Sequence, residues 1–285
     1  MKTYAAPLYA TVCRIIDNNH VEKIKLQLGE LPIMVRSSRC HLAKLSSKEL
    51  VEQHEDCNEF GGYFIVNGQE KLIRMLIMPK KNYPLAFLRP SVKKKSANFT
   101  GHIVQMKCMR DDLYAKSISL YNVSDGNISV GIVYRKQEFL VPVIIILKAL
   151  IETSDVQIYN KLVRGNSGNS EISDRAEVLL RVSKHLSLHT KTQCLAYLGS
   201  RFRVVLGLNH SGQISDKDVG EIFLNELVCV HCKTNIDKFN SICLMIEKLY
   251  ALVSEKIYPD NLDTLANQDV LLSGHLYLTL LREKL

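Results

Sequence analysis

The hydrophobic pattern of the chain changes at Pro142, and this change limits the possible folds more than any other feature. Before Pro142, apolar residues tend to alternate in short runs that are separated by turn dipeptides. After Pro142 they recur at spacings of three and four, most clearly over residues 236–254. Strands followed by helices favour an α+β fold over a parallel α/β sheet. We therefore predict mixed β hairpins or sheet in the N-terminal half and a mostly helical C-terminal half.

Turn dipeptides locate the strands. Asn67-Gly68 and Asp125-Gly126 are residue pairs that accept the positive φ angles of tight hairpin turns. The hairpin strands are expected at residues 63–66 with 72–77, and at residues 114–121 with 128–134. Two further short strands are expected near the N-terminus, at residues 10–16 and 31–35.

Capping and periodicity locate the helices. Ser46-Ser-Lys-Glu49 has the form of a capping box, which predicts a short helix from Ser46 to about Cys57. Beyond Pro142 the apolar spacing predicts a series of helices. These are expected at residues 143–152, 155–164, 171–187, 191–203, 216–231, 236–254 and 268–284.

The positive charge of the chain is concentrated in one stretch. The whole sequence has 37 basic and 29 acidic residues, a formal net charge of +8, yet residues 71–110 contain ten basic residues and no acidic one. The other 245 residues therefore carry −2. A local cationic surface indicates a polyanion or an acidic protein as partner. The alternative is a solvated face whose counter-charges lie elsewhere in the fold.

Six cations of this stretch form the candidate nucleic-acid or partner-binding set. They are Lys80, Lys81, Arg89, Lys93, Lys94 and Lys95. Prolines among them forbid a continuous helix, which predicts a rigid loop between the hairpins. Such cations pair with phosphates and position a nucleic acid without reading its sequence. Three aromatic rings are interleaved and could stack on unpaired bases, although packing beneath the loop is the favoured interpretation. These rings are Tyr83, Phe87 and Phe99.

Motifs for self-contained catalysis are missing from the sequence. It has no phosphate-binding glycine loop, nucleophile elbow or His-Glu-x-x-His, so no catalytic residue and no metal ligand is predicted. Cys229 and Cys232 have the spacing of a zinc pair, but they lie in an apolar helical pattern where cysteine acts as a small hydrophobe. The longest wholly apolar run, residues 139–147, is too short to span a bilayer, and no signal peptide is recognisable. An intracellular protein with free thiols is expected.

Two sequence blocks resemble one family. Leu31-Pro-Ile-Met-Val-Arg-Ser-Ser-Arg-Cys40 and Gly61-Gly-Tyr-Phe-Ile-Val-Asn-Gly-Gln-Glu-Lys71, in this order and separated by a short acidic helix, resemble the second-largest (β-like) subunit of multisubunit DNA-dependent RNA polymerases. Residues 73–82 and 267–285 are similar to the form found in RNA polymerase I. The equivalent region of polymerase II or III is the alternative within the family.

The resemblance implies a domain organisation. Residues 1–75 would be part of the protrusion, residues 76–265 the lobe, with a sheet at 100–135 and helices at 143–254, and residues 266–285 a helix returning toward the protrusion. The full subunit is several times longer, so the chain would be an excised fragment.

The resemblance also implies a function. The holoenzyme is a nucleotidyltransferase that transcribes ribosomal RNA precursor in the nucleolus, whereas this region forms a wall of the DNA cleft and is expected to be inactive alone. No cofactor is expected here, because Mg and Zn belong to other parts of the holoenzyme. The implied partners are other polymerase subunits, especially the largest subunit and the TFIIF-like heterodimer that docks on the lobe, together with template DNA. Two rival hypotheses are a free-standing basic nucleic-acid-binding protein and a small zinc protein.

Overall fold

The computed structural model divides into two compact units. The larger unit comprises residues 77–270, and the smaller comprises residues 1–76 together with 271–285. The structure describes residues 2–16, 20–94, 98–164, 170–208 and 214–284. In these ranges no helix combines the length and the apolar character that crossing a membrane requires. That the two units are the lobe and part of the protrusion stays a prediction.

The order of elements is strands first and helices second. The strands are β1 (Ala5–Ile16), β2 (His20–Pro32), β3 (Phe64–Val66), β4 (Gln69–Lys71), β5 (Leu76–Pro79), β6 (Pro84–Leu88), β7 (Phe99–Met109), β8 (Ala115–Val123), β9 (Ile128–Tyr134), β10 (Gln137–Pro142) and β11 (Gln268–Leu271). The α-helices are α1 (Ser47–Glu52), α2 (Val143–Leu150), α3 (Asp155–Val163), α4 (Ser170–His185), α5 (Lys191–Leu206), α6 (Asp216–Leu227), α7 (Asn235–Val253) and α8 (Ser273–Lys284). Short 3-10 helices span Pro90–Lys94 and Leu265–Asn267. The predicted α+β class is confirmed.

The larger unit is built on a five-stranded antiparallel sheet. Its strand order is β10-β9-β8-β7-β6, so each strand pairs with its neighbour in the chain. One face is apolar and packs against the helices, as the buried Val104, Met106 and Cys108 of β7 show. The predicted hairpin around Asp125-Gly126 is confirmed, with β8 and β9 as its strands.

Helix α2 lies at the centre of the core, where every one of its residues is buried. Its one charged residue, Lys148, is held in an ion pair with Asp155, with 2.6 Å between nitrogen and oxygen, and donates a hydrogen bond of 3.0 Å to the Ser183 hydroxyl. A buried ammonium group is tolerated only when it is paired in this way.

The predicted helices after Pro142 are present, with ends that differ by a few residues. Among helices α2 to α7, the largest difference is in α6, which ends at Leu227 and not at residue 231. Val228 has extended backbone angles and Cys229 has a φ of 42°, so the chain cannot continue as a right-handed helix.

Helices α5 and α6 approach each other backbone to backbone. A Cβ atom at Gly199 would overlap the carbonyl group of Asp216, and one at Gly220 would overlap the carbonyl group of Leu195. Both glycines are buried. The close packing of this helix pair therefore requires glycine, which has no Cβ atom, at both positions.

The smaller unit begins with a long two-stranded hairpin. β1 and β2 pair in register from Ala5↔Pro32 to Ile16↔His20, with one bulge at Leu8/Tyr9. The predicted strand at 10–16 is confirmed as part of β1, whereas the prediction of a strand at 31–35 was wrong, because it shares only residues 31 and 32 with β2. We call β1 and β2 together the ribbon.

Helix α1 has the predicted capping box but is shorter than predicted. The Ser46 N–H donates to the Glu49 carboxylate over 2.7 Å. The helix ends at Glu52 because His54 adopts the left-handed region, with a φ of 64°, and the Glu55 N–H bonds back to the Leu50 carbonyl. This is a helix-terminating Schellman-type arrangement.

The hairpin around Asn67-Gly68 is present with a different second strand. Both turn residues have positive φ, so Val66 pairs directly with Gln69 and β4 covers residues 69–71. The prediction of residues 72–77 as this strand was wrong. The residues from Leu76 form β5, which pairs with β11. Because residues 268–271 are this strand, α8 begins at Ser273 and not at residue 268.

Candidate nucleic-acid or partner-binding surface

The segment that carries the predicted cations contains strand β6 and a 3-10 helix, so the prediction of one continuous loop between hairpins was wrong. Lys80 and Lys81 precede β6, Arg89 follows it, and Lys93 and Lys94 lie in the 3-10 helix. Lys95 lies outside the described residues, as does the side chain of Lys94. The prolines fit this arrangement, since Pro84 is the first residue of an edge strand and Pro90 is the first residue of the 3-10 helix.

Strand β6 is fixed along both edges. On one side it pairs with β7, from Pro84↔Met106 to Leu88↔His102. On the other side Asp260 takes the place of a sixth strand. The Ala86 N–H donates to its carboxylate over 2.8 Å, and the Asp260 N–H donates to the Ala86 carbonyl over 2.7 Å. The outer edge of the sheet is thereby blocked at its centre.

Lys248 strengthens this anchor from helix α7. Its ammonium group donates to the Asp260 carboxylate over 2.6 Å and to the Pro84 carbonyl over 2.8 Å. Both partners are largely shielded from water, with side-chain exposures of 19% for Lys248 and 27% for Asp260. The negative charge of Asp260 is thus used inside the fold and does not neutralise the exposed cations.

The backbone before β6 is also fixed. The Lys80 N–H donates to the Asn267 carbonyl, and the Lys81 N–H donates to the Asp269 carboxylate, each over 2.9 Å. Asn82 has a φ of 56° and exchanges two side-chain hydrogen bonds with the backbone of Met109, of 2.7 and 3.0 Å. The side chains of Lys80 and Lys81 are exposed, so a hydrogen-bonded backbone carries two charges that solvent and a partner can reach.

The aromatic rings of the stretch divide into two kinds. Phe87 and Phe99 are buried in a small cluster on the second face of the sheet, which confirms the packing interpretation for both. Tyr83 is 42% exposed, and the ammonium groups of Lys80 and Lys248 lie 5.3 and 5.0 Å from its ring centre. Cations therefore lie close to the one accessible ring, which leaves less of it for base stacking.

A second group of positive charges gathers around His102. The Arg89 guanidinium lies 5.2 Å from the Phe87 ring centre, and the Lys93 side chain passes close to Gly101. Burial, together with the charges of Lys93 and Arg175, lowers the pKa of His102. Burial is the largest cause and the two cations add to it, so the neutral form of the ring is favoured.

Sequence reasoning missed Lys107 as a member of this surface. Its carbonyl accepts the Asn82 N–H over 2.8 Å, and its backbone pairs with that of Lys81 in an isolated parallel β-bridge. Burial lowers the pKa of its ammonium group. The alternation of β7 could have placed Lys107 on the polar face, but its nearness to Lys81 depends on strand pairing.

The side chains of these cations form no ion pair in the structure as described. In the ranges given above, no carboxylate oxygen lies within 4.0 Å of the side-chain nitrogens of Lys80, Lys81, Arg89, Lys93 and Lys107, although the backbone N–H of Lys81 donates to the Asp269 carboxylate. The interpretation of a face neutralised by counter-charges elsewhere is therefore not supported by these residues. We call these five residues the basic surface.

The cysteines of the zinc alternative lie in the core and not at an open site. A hydrogen bond with Cys108 and complete burial raise the pKa of Cys229 well above its ordinary range. Burial raises the pKa of Cys232, and it raises the pKa of Cys243 to about 12. No cluster of three or more metal-binding side chains occurs within the described ranges.

Comparison with known proteins identifies the family. Residues 1–285 match the family described as RNA polymerase beta subunit. The chain is 48% identical over 283 residues to the DNA-directed RNA polymerase I subunit RPA2 of Euplotoides octocarinatus, 44% identical over 285 residues to the probable RPA2 subunit of Schizosaccharomyces pombe, and 39% identical over 283 residues to that of Homo sapiens. These matches cover 99%, 100% and 99% of this chain, but only 24%, 24% and 25% of the relatives. The chain spans about a quarter of their length, and it belongs to the RNA polymerase beta subunit family.

Proposed function

We propose that the chain is a region of the second-largest subunit of RNA polymerase I, the nuclear and nucleolar enzyme that transcribes ribosomal RNA precursor. The identity of 39–48% to polymerase I subunits over almost the whole chain carries this proposal. Within the subunit, residues 77–270 would be the lobe, and the smaller unit would be part of the protrusion. The polymerase II and III alternative is less favoured, because the relatives reported above carry polymerase I names.

In this proposal the region binds and positions, and does not catalyse. The basic surface would contact the phosphate backbone of DNA along a wall of the cleft. Its cations lie on fixed backbone without neutralising carboxylates, which suits contacts with phosphate. The cations beside the Tyr83 ring favour backbone contact over stacking on bases. Nucleotide addition, with its Mg and Zn ions, would belong to other parts of the holoenzyme.

The proposed partners are the other subunits of the polymerase and the template DNA. The largest subunit would complete the cleft, and the TFIIF-like heterodimer would dock on the lobe. An acidic surface on that heterodimer is the specific competitor of DNA for the basic surface, since both present anionic groups.

A charge-removal experiment in the intact polymerase tests the role of the surface. The triple variant Lys80→Ala, Lys81→Ala and Lys93→Ala removes three exposed charges. A matched control is Lys184→Ala, Lys217→Ala and Lys233→Ala, which removes three exposed lysines elsewhere in the larger unit. DNA affinity is measured over a range of salt concentrations for both.

Loss of three phosphate contacts reduces the slope of log affinity against log salt by about 2 to 3, because each contact contributes about 0.9. The control variant leaves the slope unchanged. If the slopes are equal and the triple variant instead loses the heterodimer during purification, the surface binds protein and not DNA. Failure of the tagged subunit to copurify with polymerase subunits would overturn the assignment to the enzyme itself.

A further inference from the structure

The turn between β9 and β10 is built from residues that do not favour its shape. Tyr134 pairs with Gln137, so the turn has two residues, Arg135 and Lys136, and their φ angles are positive, at 47° and 66°. A two-residue turn of this kind prefers Asn-Gly, the pair that forms the turn at Asn67-Gly68. Arg and Lys carry a steric cost in this conformation, and such a cost points to a function for the residues that bear it. Both side chains are exposed.

Lys116 of β8 lies beside this turn. Its ammonium nitrogen is 5.1 Å from the ring centre of Tyr134 and 5.4 Å from that of Tyr114. The Arg135 guanidinium is 5.3 Å from the Tyr134 ring centre. Contact with the aromatic rings therefore holds these two cations close to each other despite their like charge. We call Lys116, Arg135 and Lys136 the strand-end cations.

No ion pair neutralises the strand-end cations in the part of the chain that the structure describes. No carboxylate oxygen lies within 4.0 Å of a side-chain nitrogen of these three residues. Arg110, which is also near the Tyr114 ring, differs because its guanidinium pairs with Asp112 over 3.0 Å. The charge of the strand-end cations can therefore act on a partner.

The strand-end cations and part of the basic surface lie at the same end of the five-stranded sheet. Lys81 and Lys107 lie at this end of β6 and β7, Lys116 lies at this end of β8, and the turn at 135–136 joins β9 to β10 there. One line of directly paired residues crosses all five strands and fixes this alignment. These residues are Pro84, Met106, Ile118, Ile132 and Phe139. Four intervals of about 4.8 Å give the row of cations a length of about 19 Å.

A row of this length suits a linear polyanion. One strand of DNA carries a phosphate for about every 3.4 Å of helix axis, so about five phosphates fit along about 19 Å. Lys81 and Lys107 belong to the basic surface, which the strand-end cations therefore continue. Contact with phosphates needs charge and no reading of bases, which agrees with tyrosine rings that cations already occupy.

We propose that the strand-end cations bind the phosphate backbone of the nucleic acid that the basic surface contacts, so that the binding surface crosses the whole end of the sheet from β6 to β10. The turn retains Arg135 and Lys136, at a cost in stability, because their charges are used in binding. This inference rests on the proposed function, since it assigns further residues to the same DNA surface.

A variant that favours the turn but removes its charges tests the proposal. The charge-removal variant is Arg135→Asn with Lys136→Gly, and the charge-preserving control is Arg135→Lys with Lys136→Arg. A second control, Lys184→Ala with Lys217→Ala, removes two exposed charges elsewhere. DNA affinity is measured with the intact polymerase over a range of salt concentrations. Hydrogen exchange of β9 and β10, followed by mass spectrometry in the same preparations, reports on the hairpin.

The charge-removal variant is expected to reduce the slope of log affinity against log salt by about 2, because each lost phosphate contact contributes about 0.9. Its hairpin is expected to exchange no faster than that of the unsubstituted protein, since Asn-Gly is the preferred pair for the turn. Both controls are expected to keep the original slope.

An unchanged slope in the charge-removal variant, or an equal loss in either control, would overturn the proposal. Faster exchange in the charge-removal variant would overturn it too, because the hairpin itself would then require the two cations. Loss of another subunit during purification, with an unchanged slope, would assign the turn to a protein partner instead. In each case a reduced slope in the triple variant of Lys80, Lys81 and Lys93 leaves the proposed function intact, whereas a subunit that does not copurify with the polymerase contradicts that function.

Discussion

The ribbon and the five-stranded sheet are both antiparallel, yet they differ in what covers them. The inward side chains of the sheet, such as Leu120, Val130 and Ile132, are 0% exposed because helices pack on them. Leu26 and Val12 of the ribbon are both 46% exposed. The alternation of apolar and polar residues is similar in both. The alternation of apolar and polar residues therefore identifies which face of a sheet is apolar. Whether that face is buried depends on other parts of the polypeptide that pack on it.

The largest effect is expected from a substitution that forces apart α5 and α6, two of the helices in the layer that packs on the sheet. In Gly199→Ala the new methyl group overlaps the Asp216 carbonyl, so α5 and α6 must separate. We expect the free energy of unfolding of the larger unit to fall by about 3 kcal/mol or more. Urea denaturation of the purified protein measures this. Gly274→Ala, where a Cβ meets no atom within 4 Å, is the control. Equal midpoints for the two variants would contradict the close approach of the helices.

A matched pair of leucines tests the comparison directly. Leu120→Ala leaves a cavity beneath the helices and is expected to lower the free energy of unfolding by about 2 to 5 kcal/mol. Leu26→Ala, at a side chain already half in water, is expected to lower it by less than about 1 kcal/mol. Denaturation of this chain by urea provides both values. Similar losses at the two positions would show that the ribbon is packed as the sheet is.

A smaller loss of stability is expected from weakening the hydrogen bonds that block the outer edge of the sheet. Asp260→Asn weakens the acceptor of the Ala86 N–H and leaves Lys248 without its charge partner. We expect a loss of about 1 to 3 kcal/mol, with faster hydrogen exchange at Ala86. Asp263→Asn changes an exposed residue of the same segment and is the control. Unchanged exchange at Ala86 would mean that β7 alone holds β6.

The smallest effect concerns pH. The pKa of His102 is lowered, so the folded state favours the neutral ring. This preference contributes fully to the free energy of unfolding at pH values above the pKa of the unfolded chain, near 6.5. It is lost as pH falls from 6.5 toward the folded pKa, because the unfolded chain then binds more protons. Lys93→Ala removes one repelling charge and should raise the pKa of His102. A proton NMR titration measures it, with Lys81→Ala as the control that leaves it unchanged.

Local signals of the sequence were sufficient for most elements. The capping box at Ser46 and the turn at Asn67-Gly68 are present as predicted, and the helices after Pro142 differ from prediction at their ends. The errors share a physical cause. Where α1 stops depends on the backbone of His54, and β5 is a strand because it pairs with β11, some 190 residues away in the chain. Pairing partners at such distances leave no local periodic signal.

For the candidate site, the sequence predicted the charged residues but not the contacts that hold their backbone in place. An acid-free stretch is visible in composition. That Asp260 blocks the edge of β6, and that Lys107 lies beside Lys81, depends on which segments meet in space. The same long-range pairing turned a predicted loop into a strand, because the ladder with β7 and the hydrogen bonds to Asp260 satisfy the backbone of residues 84–88.

The chain enters the larger unit through β5 and leaves it through β11, and these two strands are neighbours. A module whose two ends lie side by side can be lengthened, shortened or exchanged between genes with little effect on the polypeptide on either side. Evolution could therefore vary residues 77–270 as a cassette. In the laboratory, the same geometry makes this segment a natural unit for a domain swap between related polymerases.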